Sequence, residues 1–387
     1  MNQRSIASVT AGLISLWATA AGADGARNYI SIVGSTTVQP FSQAVAEQIA
    51  KTYKVKAPMI ESTGTGGGIT LFCEGVGMAY PDIVNASRPM KQKELDNCRA
   101  NGVNDVVEIK VGSGGVTLIQ SNSAATFEIT RKDLFLALAK RIPDPACKTP
   151  CEKLINNPYQ TWKQINPTLP DQPIEVLGPP ASSGTSEAFM DTVMDTGCDS
   201  YPWLLQKKTK SETEYKRICH SLRDDGAYTE ETSDSILSRI GGQSKAVGIV
   251  PYAAYQSADS HVKAVAVEGI KPSSAQLAAQ TYPLTKPLLF YVKKAHVDRV
   301  PGLNRYIAEF TSDKAWGSKG YLLKKGLVPM AAAERAGYAA IARDLKPMSV
   351  VGDLLPIPAS AAAELQEASK ATPAASRPAA KKKKRQK

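Results

Sequence analysis

The stretch YISIVGSTTVQPFSQAVAEQIAKTYK, residues 29–54, is the most informative segment for the fold class. Its apolar start at 29–34 predicts a strand, and its amphipathic part at 40–54 predicts a helix with Pro40 in the first turn. A loop of small and hydroxyl-bearing residues joins the two. Strand and helix patterns alternate in this way along most of the chain, which predicts an α/β fold with a mostly parallel sheet.

The same alternation places the other elements. Further strands are predicted at 58–62, 81–87, 105–122, 174–178, 262–269 and 287–294, and a strand that turns into a helix at 246–255. Helices are predicted at 68–75, 91–102, 131–140 and, as a pair, 300–326. Long extended segments near 105–120 and 283–293 are suited to cross between two lobes. We therefore expect a discontinuous lobe 1 from 24–111 plus 285–345, a lobe 2 from 112–284, and an Ala- and Pro-rich extension at 346–387 that ends in a disordered basic tail.

The N-terminal residues 1–23 have the pattern of a secretory signal peptide. Arg4 precedes a modest apolar stretch that reaches Trp17, and two small-residue sites of the A-x-A type follow at 18–20 and 21–23. A short buried helix is the alternative interpretation. Because the apolar stretch is too short to span a bilayer, we expect a cleaved secretory signal and a soluble mature protein.

Charge is concentrated at the C-terminus. The chain has 387 residues and a formal net charge of +11, and residues 371–387 contain seven basic residues and no acidic one. The remainder is therefore close to neutral, and no other feature indicates nucleic-acid binding. The basic tail is either a solvated segment or an electrostatic contact with anionic envelope components, that is lipid or cell wall, or with nucleic acid.

Six cysteines form an even set, which in an exported chain favours disulfide bonds. Neighbours along the sequence suggest the pairs Cys73–Cys98, Cys147–Cys151 and Cys198–Cys219, although six cysteines allow about 15 pairings. A zinc site is the alternative. The chain has no C-x₂-C pair and only three histidines, so we expect no metal site.

Three loops share one construction: small, hydroxyl-bearing residues between a strand and a helix. They are GSTTVQP at 34–40, STGTGGGIT at 62–70 and SSGTSEAF at 182–189. Unpaired backbone N–H groups at the start of a helix bind oxyanions without a cationic side chain, and Ser or Thr hydroxyls add donors. Each loop alone is also typical of an ordinary helix cap. Three in one chain, divided between the two predicted lobes, favour an anion site.

A fourth segment, NASRPMK at 85–91, follows a strand end and places Ser87 and Arg88 where they can face the same cleft. A buried guanidinium is a planar set of donors that matches phosphate. A surface ion pair is the alternative role of Arg88.

Together these segments, with RDDGAY at 223–228 and AVGIVPY at 246–252, resemble the periplasmic phosphate-binding proteins of phosphate-specific ABC transporters over about 28–345. The resemblance implies a two-lobe periplasmic binding protein fold of class II type. Such a protein is a monomer that closes on inorganic phosphate and docks on an inner-membrane ABC permease. It has no catalytic residue and no cofactor. By the family pattern, the ligand contacts fall on Thr36, Thr37, Thr65, Ser87, Arg88, Ser183, Gly184 and Thr185.

The chain departs from the best-known form of the family. Pro179 and Ala181 stand where the family loop has an Arg and an Asp, and Arg88 stands where a carboxylate often follows the A-S pair. We therefore expect Arg88 to supply the charge, with Arg223 as a second candidate. A carboxylate that accepts the proton of hydrogen phosphate is also needed. Asp225 is the first candidate for this acceptor and Asp234 the second.

Three other functions remain open. An enzyme lacks support, since no G-x-S-x-G elbow or P-loop is present and His220, His261 and His296 lie outside the loops, where we expect them on the surface. A receptor for another oxyanion such as sulfate, molybdate or a phosphonate is the second possibility. A surface adhesin or signalling protein on the same scaffold is the third.

Overall fold

The computed structural model describes residues 27–147, 152–242, 245–258 and 260–351. Its strands are β1 (Ser31–Gly34), β2 (Met59–Ser62), β3 (Ile83–Ala86), β4 (Val106–Ser121), β5 (Glu128–Ile129), β6 (Arg141–Pro143), β7 (Leu154–Asn156), β8 (Val176–Gly178), β9 (Tyr228–Glu230), β10 (Val247–Pro251), β11 (Val262–Ala264), β12 (Ala266–Val267) and β13 (Thr285–Lys293).

Helices connect most of these strands. They are α1 (Gln39–Tyr53), α2 (Gly64–Phe72), α3 (Gln92–Ala100), α4 (Arg131–Leu138), α5 (Trp162–Ile165), α6 (Gly184–Phe189), α7 (Asp195–Asp199), α8 (Pro202–Lys210), α9 (Glu212–Cys219), α10 (Ser233–Gly241), α11 (Tyr252–Ser257), α12 (Ser274–Ala278), α13 (Leu303–Phe310), α14 (Asp313–Trp316) and α15 (Ala332–Asp344). A π-helical turn, Met190–Met194, joins α6 to α7, and 3₁₀ turns cover Lys294–His296 and Tyr321–Lys325.

Nine strands form one mixed sheet in the order β2-β1-β3-β13-β4-β10-β8-β9, with β11 also paired to β4. Strand β1 is parallel to β2 and β3, and β8 is parallel to β9 and β10. The long strands β4 and β13 run antiparallel to each other. The predicted α/β class is therefore confirmed, and the sheet is mixed because β4 and β13 run against their neighbours.

Strand β4 links the two halves of the sheet. Its first part pairs with β13, whereas its last residues pair with β10 and β11. The structure thus has long strands at both segments predicted to cross between lobes. The residue boundaries of the two lobes remain a prediction, since β4 runs through residue 112 and β13 begins at Thr285.

Each half of the sheet has its own core on both faces. In β13, Leu288 and Phe290 pack into one cluster with helix α1, and Leu289 and Tyr291 pack into a second cluster with α2 and α3. Alternation along a strand sends successive side chains to opposite faces, so a strand that is apolar throughout must be covered on both. The other half likewise has two clusters.

Two of the suggested disulfides are present. Cys73–Cys98 joins the end of α2 to α3, and Cys198–Cys219 joins α7 to α9. Cys147 is also disulfide-bonded, but its suggested partner Cys151 lies outside the described residues. The suggested signal peptide and most of the C-terminal extension lie outside them as well. In the part that the structure describes, no helix has the length and apolar character that a bilayer crossing requires.

Two local predictions were wrong. The glycine-rich segment at 62–70 is not a loop, because α2 already begins at Gly64. Its glycines are poor helix formers, but a Cβ on Gly68 would lie 2.5 Å from the Cα of Gly34, so the missing side chain lets α2 pack directly on β1. His296 is fully buried rather than on the surface, and its ring bonds Asp82 at 2.6 Å.

Candidate anion-binding site

The first side of the site is the turn between β1 and α1. Gly34 ends β1 with a φ of +120°, and a Cβ there would lie 2.2 Å from the carbonyl oxygen of Asn85. Glycine is therefore required, and the chain turns so that the N–H of Ser35 donates to the same carbonyl at 2.9 Å. This turn leaves the hydroxyls of Ser35, Thr36 and Thr37 facing the other lobe, where their contacts lie.

The second side is the first turn of α2. Thr65 is buried, and its hydroxyl oxygen accepts from the N–H of Ser87 at 3.1 Å and lies 3.2 Å from the Ser87 hydroxyl. Ser87 itself is fully buried just beyond β3. It thus holds the Thr65 side chain in place from behind, instead of facing the cleft directly.

The third side is the start of α6 in the other half of the molecule. Ser183 caps this helix, because its hydroxyl accepts from the N–H of Ser186 at 3.1 Å. Gly184 lies against the turn between β1 and α1, and its carbonyl accepts from the Thr37 hydroxyl at 2.8 Å. The two halves of the molecule therefore touch at the site, where the Thr37 hydroxyl of one half contacts the Gly184 backbone of the other.

A carboxylate that the sequence analysis did not identify lies between these three sides. One oxygen of Glu187, on α6, accepts from the Thr36 N–H at 3.1 Å, the Thr36 hydroxyl at 2.5 Å and the Ser35 hydroxyl at 3.3 Å. The other oxygen accepts from the Thr65 N–H and hydroxyl, both at 3.2 Å. Two backbone amides and three hydroxyls thus converge on one oxyanion. We call the donor groups of Ser35, Thr36 and Thr65 the anion cradle.

The electrostatics of the cradle favour a negative charge. Burial by itself raises the pKa of Glu187, but the hydrogen bonds from Thr36 and Thr65 and the nearby Lys286 ammonium outweigh it and lower the pKa below its ordinary value. Lys286 is buried and forms an ion pair with Asp191, one turn along from Glu187. The cradle therefore holds Glu187 ionised.

Arg88, just beyond β3, lies at the wall of a polar cavity beside Glu187, and its charge is already paired. Its guanidinium donates two parallel hydrogen bonds to Glu94, at 2.9 and 2.7 Å, and a third to the carbonyl of Pro89 at 2.9 Å. Burial alone lowers the pKa of Arg88, but the Glu94 carboxylate more than offsets this and raises it. Arg88 is thus a fixed cation at the wall of the cleft.

Two cavities flank the contact of Glu187 with Thr36. The polar one has a volume of about 290 Å³, and the more apolar one has about 220 Å³. Thr36, Thr65, Arg88, Glu187, Asp191, Lys216 and His220 are among the residues that line the polar cavity. Thr37, Phe41, Gly115, Gly184, Thr185, Tyr252 and Lys286 are among those that line the other.

Arg223 and Asp225 are placed elsewhere. Arg223 donates to Asp225 at 2.8 Å and to the carbonyls of Ala137 and Tyr159, and neither it nor Asp225 is among the residues that line the two cavities. Asp234 lies in the first turn of α10. Arg223 thus donates hydrogen bonds to carbonyl oxygens and forms an ion pair with the neighbouring Asp225. This role is structural, and the sequence pattern does not distinguish it from a ligand contact.

His220 is half-buried at the polar cavity rather than on the surface, so the surface expectation was wrong for it too. Its ring bonds Asp195 at 2.6 Å, which lowers the pKa of that carboxyl against the opposing effect of burial. Asp191, Asp195 and His220 offer ligand atoms close enough to share a metal ion. Lys286 and Lys208 already form ion pairs with the two carboxylates, so the cluster is charge-balanced as it stands.

Comparison with known proteins agrees with the motif-based resemblance. Residues 19–314 match the model of the PBP superfamily domain. Protein SphX of Synechococcus elongatus is 28% identical over 71% of this chain and 72% of its own. A phosphate-binding protein PstS of Staphylococcus saprophyticus is 23% identical over 73% of this chain and 75% of its own. A possible phosphate-binding protein of Planctomyces limnophilus, known by crystal structure, has a TM-score of 0.62 and 23% identity, and covers 82% of this chain and 98% of its own.

Proposed function

We propose that this chain, which belongs to the PBP superfamily, is an exported substrate-binding protein that captures inorganic phosphate for import by an ABC transporter. One observation carries the proposal: the two amides and three hydroxyls of the anion cradle converge on a single oxyanion between two halves of the molecule. The similarity to PstS proteins, named for phosphate binding, supports the choice of ligand.

The donor set suits a small tetrahedral oxyanion. Each cradle oxygen position is served by a backbone N–H together with a hydroxyl, from Thr36 on one side and Thr65 on the other. Backbone amides near the start of α1 and in the first turn of α2 add the partial positive charge of a helix N-terminus. In our proposal Ser183, Gly184 and Thr185 supply further donors from the opposite side, and Thr37 and Ser87 position the cradle.

Binding couples to closure of the cleft. Lys91 in lobe 1 bonds Glu212 in lobe 2 at 3.3 Å, and Thr37 bonds Gly184 across the same boundary. A ligand stabilises the closed form only to the extent that it binds that form more tightly than the open one. Since the cradle and α6 belong to different halves, an anion held by both favours closure.

The charge of the ligand is matched by Arg88 and Lys216 at the wall of the polar cavity. Arg88 carries its charge at any physiological pH, and its hydrogen bonds to Glu94 hold the guanidinium near the cavity. No catalytic role is proposed for these groups. They raise the affinity for an anion and increase the rate at which it enters.

Export and docking complete the proposal. The disulfides Cys73–Cys98 and Cys198–Cys219 fit an oxidising compartment. Together with the predicted signal peptide they support a periplasmic monomer that delivers phosphate to an inner-membrane permease. In our proposal the basic tail is available to anionic envelope components.

Isothermal titration of the mature, ligand-stripped protein with phosphate, and separately with sulfate, tests the function. We expect one phosphate per chain and no sulfate signal at moderate salt. Binding of sulfate alone, or of neither anion, would overturn the phosphate assignment. Equal binding of both would assign the protein to oxyanions in general.

A further inference from the structure

Glu187 occupies the place in which the proposed function puts the ligand. Both of its carboxylate oxygens lie on the cradle, and each oxygen is bonded by a backbone N–H and a hydroxyl. A second anion cannot use the same donors at the same time, because an amide N–H has only one proton to give. The bound carboxylate and a bound phosphate therefore exclude each other at the cradle.

The contact joins parts of the chain that are far apart in sequence. Glu187 is separated from Thr36 by 151 positions and from Thr65 by 122. Ser183 fixes the start of α6, and this places the first turn of that helix directly against Thr37. Glu187 thus reaches the cradle only when the two halves are closed on each other.

The other carboxylate of the polar cavity cannot take this role. Asp191 is one turn further along and is paired with Lys286, whereas none of the described ion pairs is formed by Glu187. The carboxylate of Glu187 is held by the uncharged donors of the cradle, which are the groups suited to a ligand oxyanion. Its role is therefore distinct from that of the neighbouring acid.

We propose that Glu187 is an internal ligand of the anion cradle, which holds the cleft closed when no anion is bound and which an incoming phosphate must displace. The proposal rests on the proposed function for the identity of that anion. Glu187 then lowers the apparent affinity, because only the fraction of molecules with a vacated cradle is competent to bind. Glu187 therefore lowers the affinity for phosphate, although its side chain does not contact the bound phosphate.

Glu187→Gln and Glu187→Ala test the proposal, with Glu175→Gln as the matched control. Glu175 is also on the second half of the molecule, but it is half-exposed and pairs only weakly with Arg239, at 3.6 Å. Circular dichroism and thermal melting first verify that each variant is folded. Two measurements follow: titration with phosphate, and small-angle X-ray scattering of the unliganded protein.

We expect both Glu187 variants to bind phosphate about tenfold more tightly than the natural chain, while Glu175→Gln is unchanged. We also expect a larger radius of gyration for the unliganded Glu187 variants. The contact that closes the cleft is lost in Glu187→Ala, and it is weakened in Glu187→Gln, where an NH₂ group replaces one accepting oxygen. Weaker or unchanged phosphate affinity in the Glu187 variants would overturn the displacement. An unchanged radius of gyration would overturn the role in closure.

The two measurements separate this inference from the proposed function. If no protein in the series binds phosphate, the phosphate assignment fails. The scattering comparison then still decides whether Glu187 closes the empty cleft, because it needs no ligand. A compact natural chain and an expanded Glu187→Gln variant would support the internal ligand even in that case.

Discussion

Gly184 and Thr37 touch across the cleft with no room for a side chain between them. A Cβ on Gly184 would lie 2.6 Å from both the Cα and the backbone nitrogen of Thr37. The Thr37 hydroxyl donates to the Gly184 carbonyl at 2.8 Å in the same contact. Since Gly184 belongs to α6 and Thr37 to the turn before α1, closure of the cleft depends on a glycine at this position.

Gly184→Ala is therefore expected to prevent full closure while each half stays folded. We expect phosphate affinity to fall at least about tenfold, because the added methyl group forces the two backbones apart. Isothermal titration measures the loss. Gly241→Ala is the control, since a Cβ at Gly241 meets its nearest atom only at 3.5 Å, an ordinary contact. Unchanged affinity in Gly184→Ala would show that the ligand binds without this contact.

Arg88→Ala is expected to weaken phosphate binding by roughly ten- to a hundredfold. A hydrogen bond to a charged group contributes about 1.5–3 kcal/mol, and the guanidinium lines the polar cavity together with Thr36 and Thr65. Arg343→Ala is a control, since Arg343 is exposed and bonds Asp344. If the affinity of Arg88→Ala stays the same, the positive charge comes from Lys216 or Lys286 instead.

Thr65→Val removes a hydroxyl that serves both the cradle and Ser87. We expect phosphate affinity to fall about tenfold and the free energy of unfolding to fall by about 1–2 kcal/mol, because the N–H of buried Ser87 loses its acceptor. Thr65→Ser keeps the hydroxyl and should retain both properties. Urea denaturation and titration measure the two effects. Losses in Thr65→Ser but not in Thr65→Val would mean that the methyl group, not the hydroxyl, matters.

Lys293 makes the stability of the fold depend on alkaline pH. Burial lowers the pKa of Lys293 to about 8, although the carboxylate of Asp82 acts in the opposite direction. Between this pKa and the ordinary value of 10.5 the unfolded chain binds more protons than the folded one. The contribution of Lys293 to the free energy of unfolding therefore rises with pH in this window, by up to about 1.4 kcal/mol per pH unit.

Urea denaturation at pH 7, 8.5 and 10 is the measurement for this dependence. We expect Lys293→Met to have a flatter pH profile than the natural chain, because the buried ammonium is gone. Lys319→Met, a change at an exposed position, should keep the natural profile. Parallel profiles for all three proteins would show that Lys293 is not the titrating group.

Much of the fold followed from local patterns. The alternation of apolar runs with amphipathic stretches predicted β1, α1, β3 and the long strands β4 and β13, since such periods depend on each segment's own residues. The glycines of α2 misled the analysis, because their low helix propensity is outweighed by the close packing of Gly68 on Gly34. The burial of His296 depends on Asp82, which is 214 positions away.

The site, like the fold, has features that local sequence predicts and features that depend on tertiary contacts. Hydroxyl-bearing segments at Thr36, Thr65 and Ser183 could be identified from the sequence pattern, because strand ends and helix starts bring such residues to one edge of a sheet. The sequence pattern does not show which side chains contact these donors in the folded molecule. Glu187 reads as an ordinary residue in the first turns of a helix. It meets Thr36 only because strand β4, which pairs with β13 in one half and with β10 in the other, brings the two halves face to face. Local sequence could specify the donors of the cradle, whereas the occupant depends on long-range contacts that no single segment encodes.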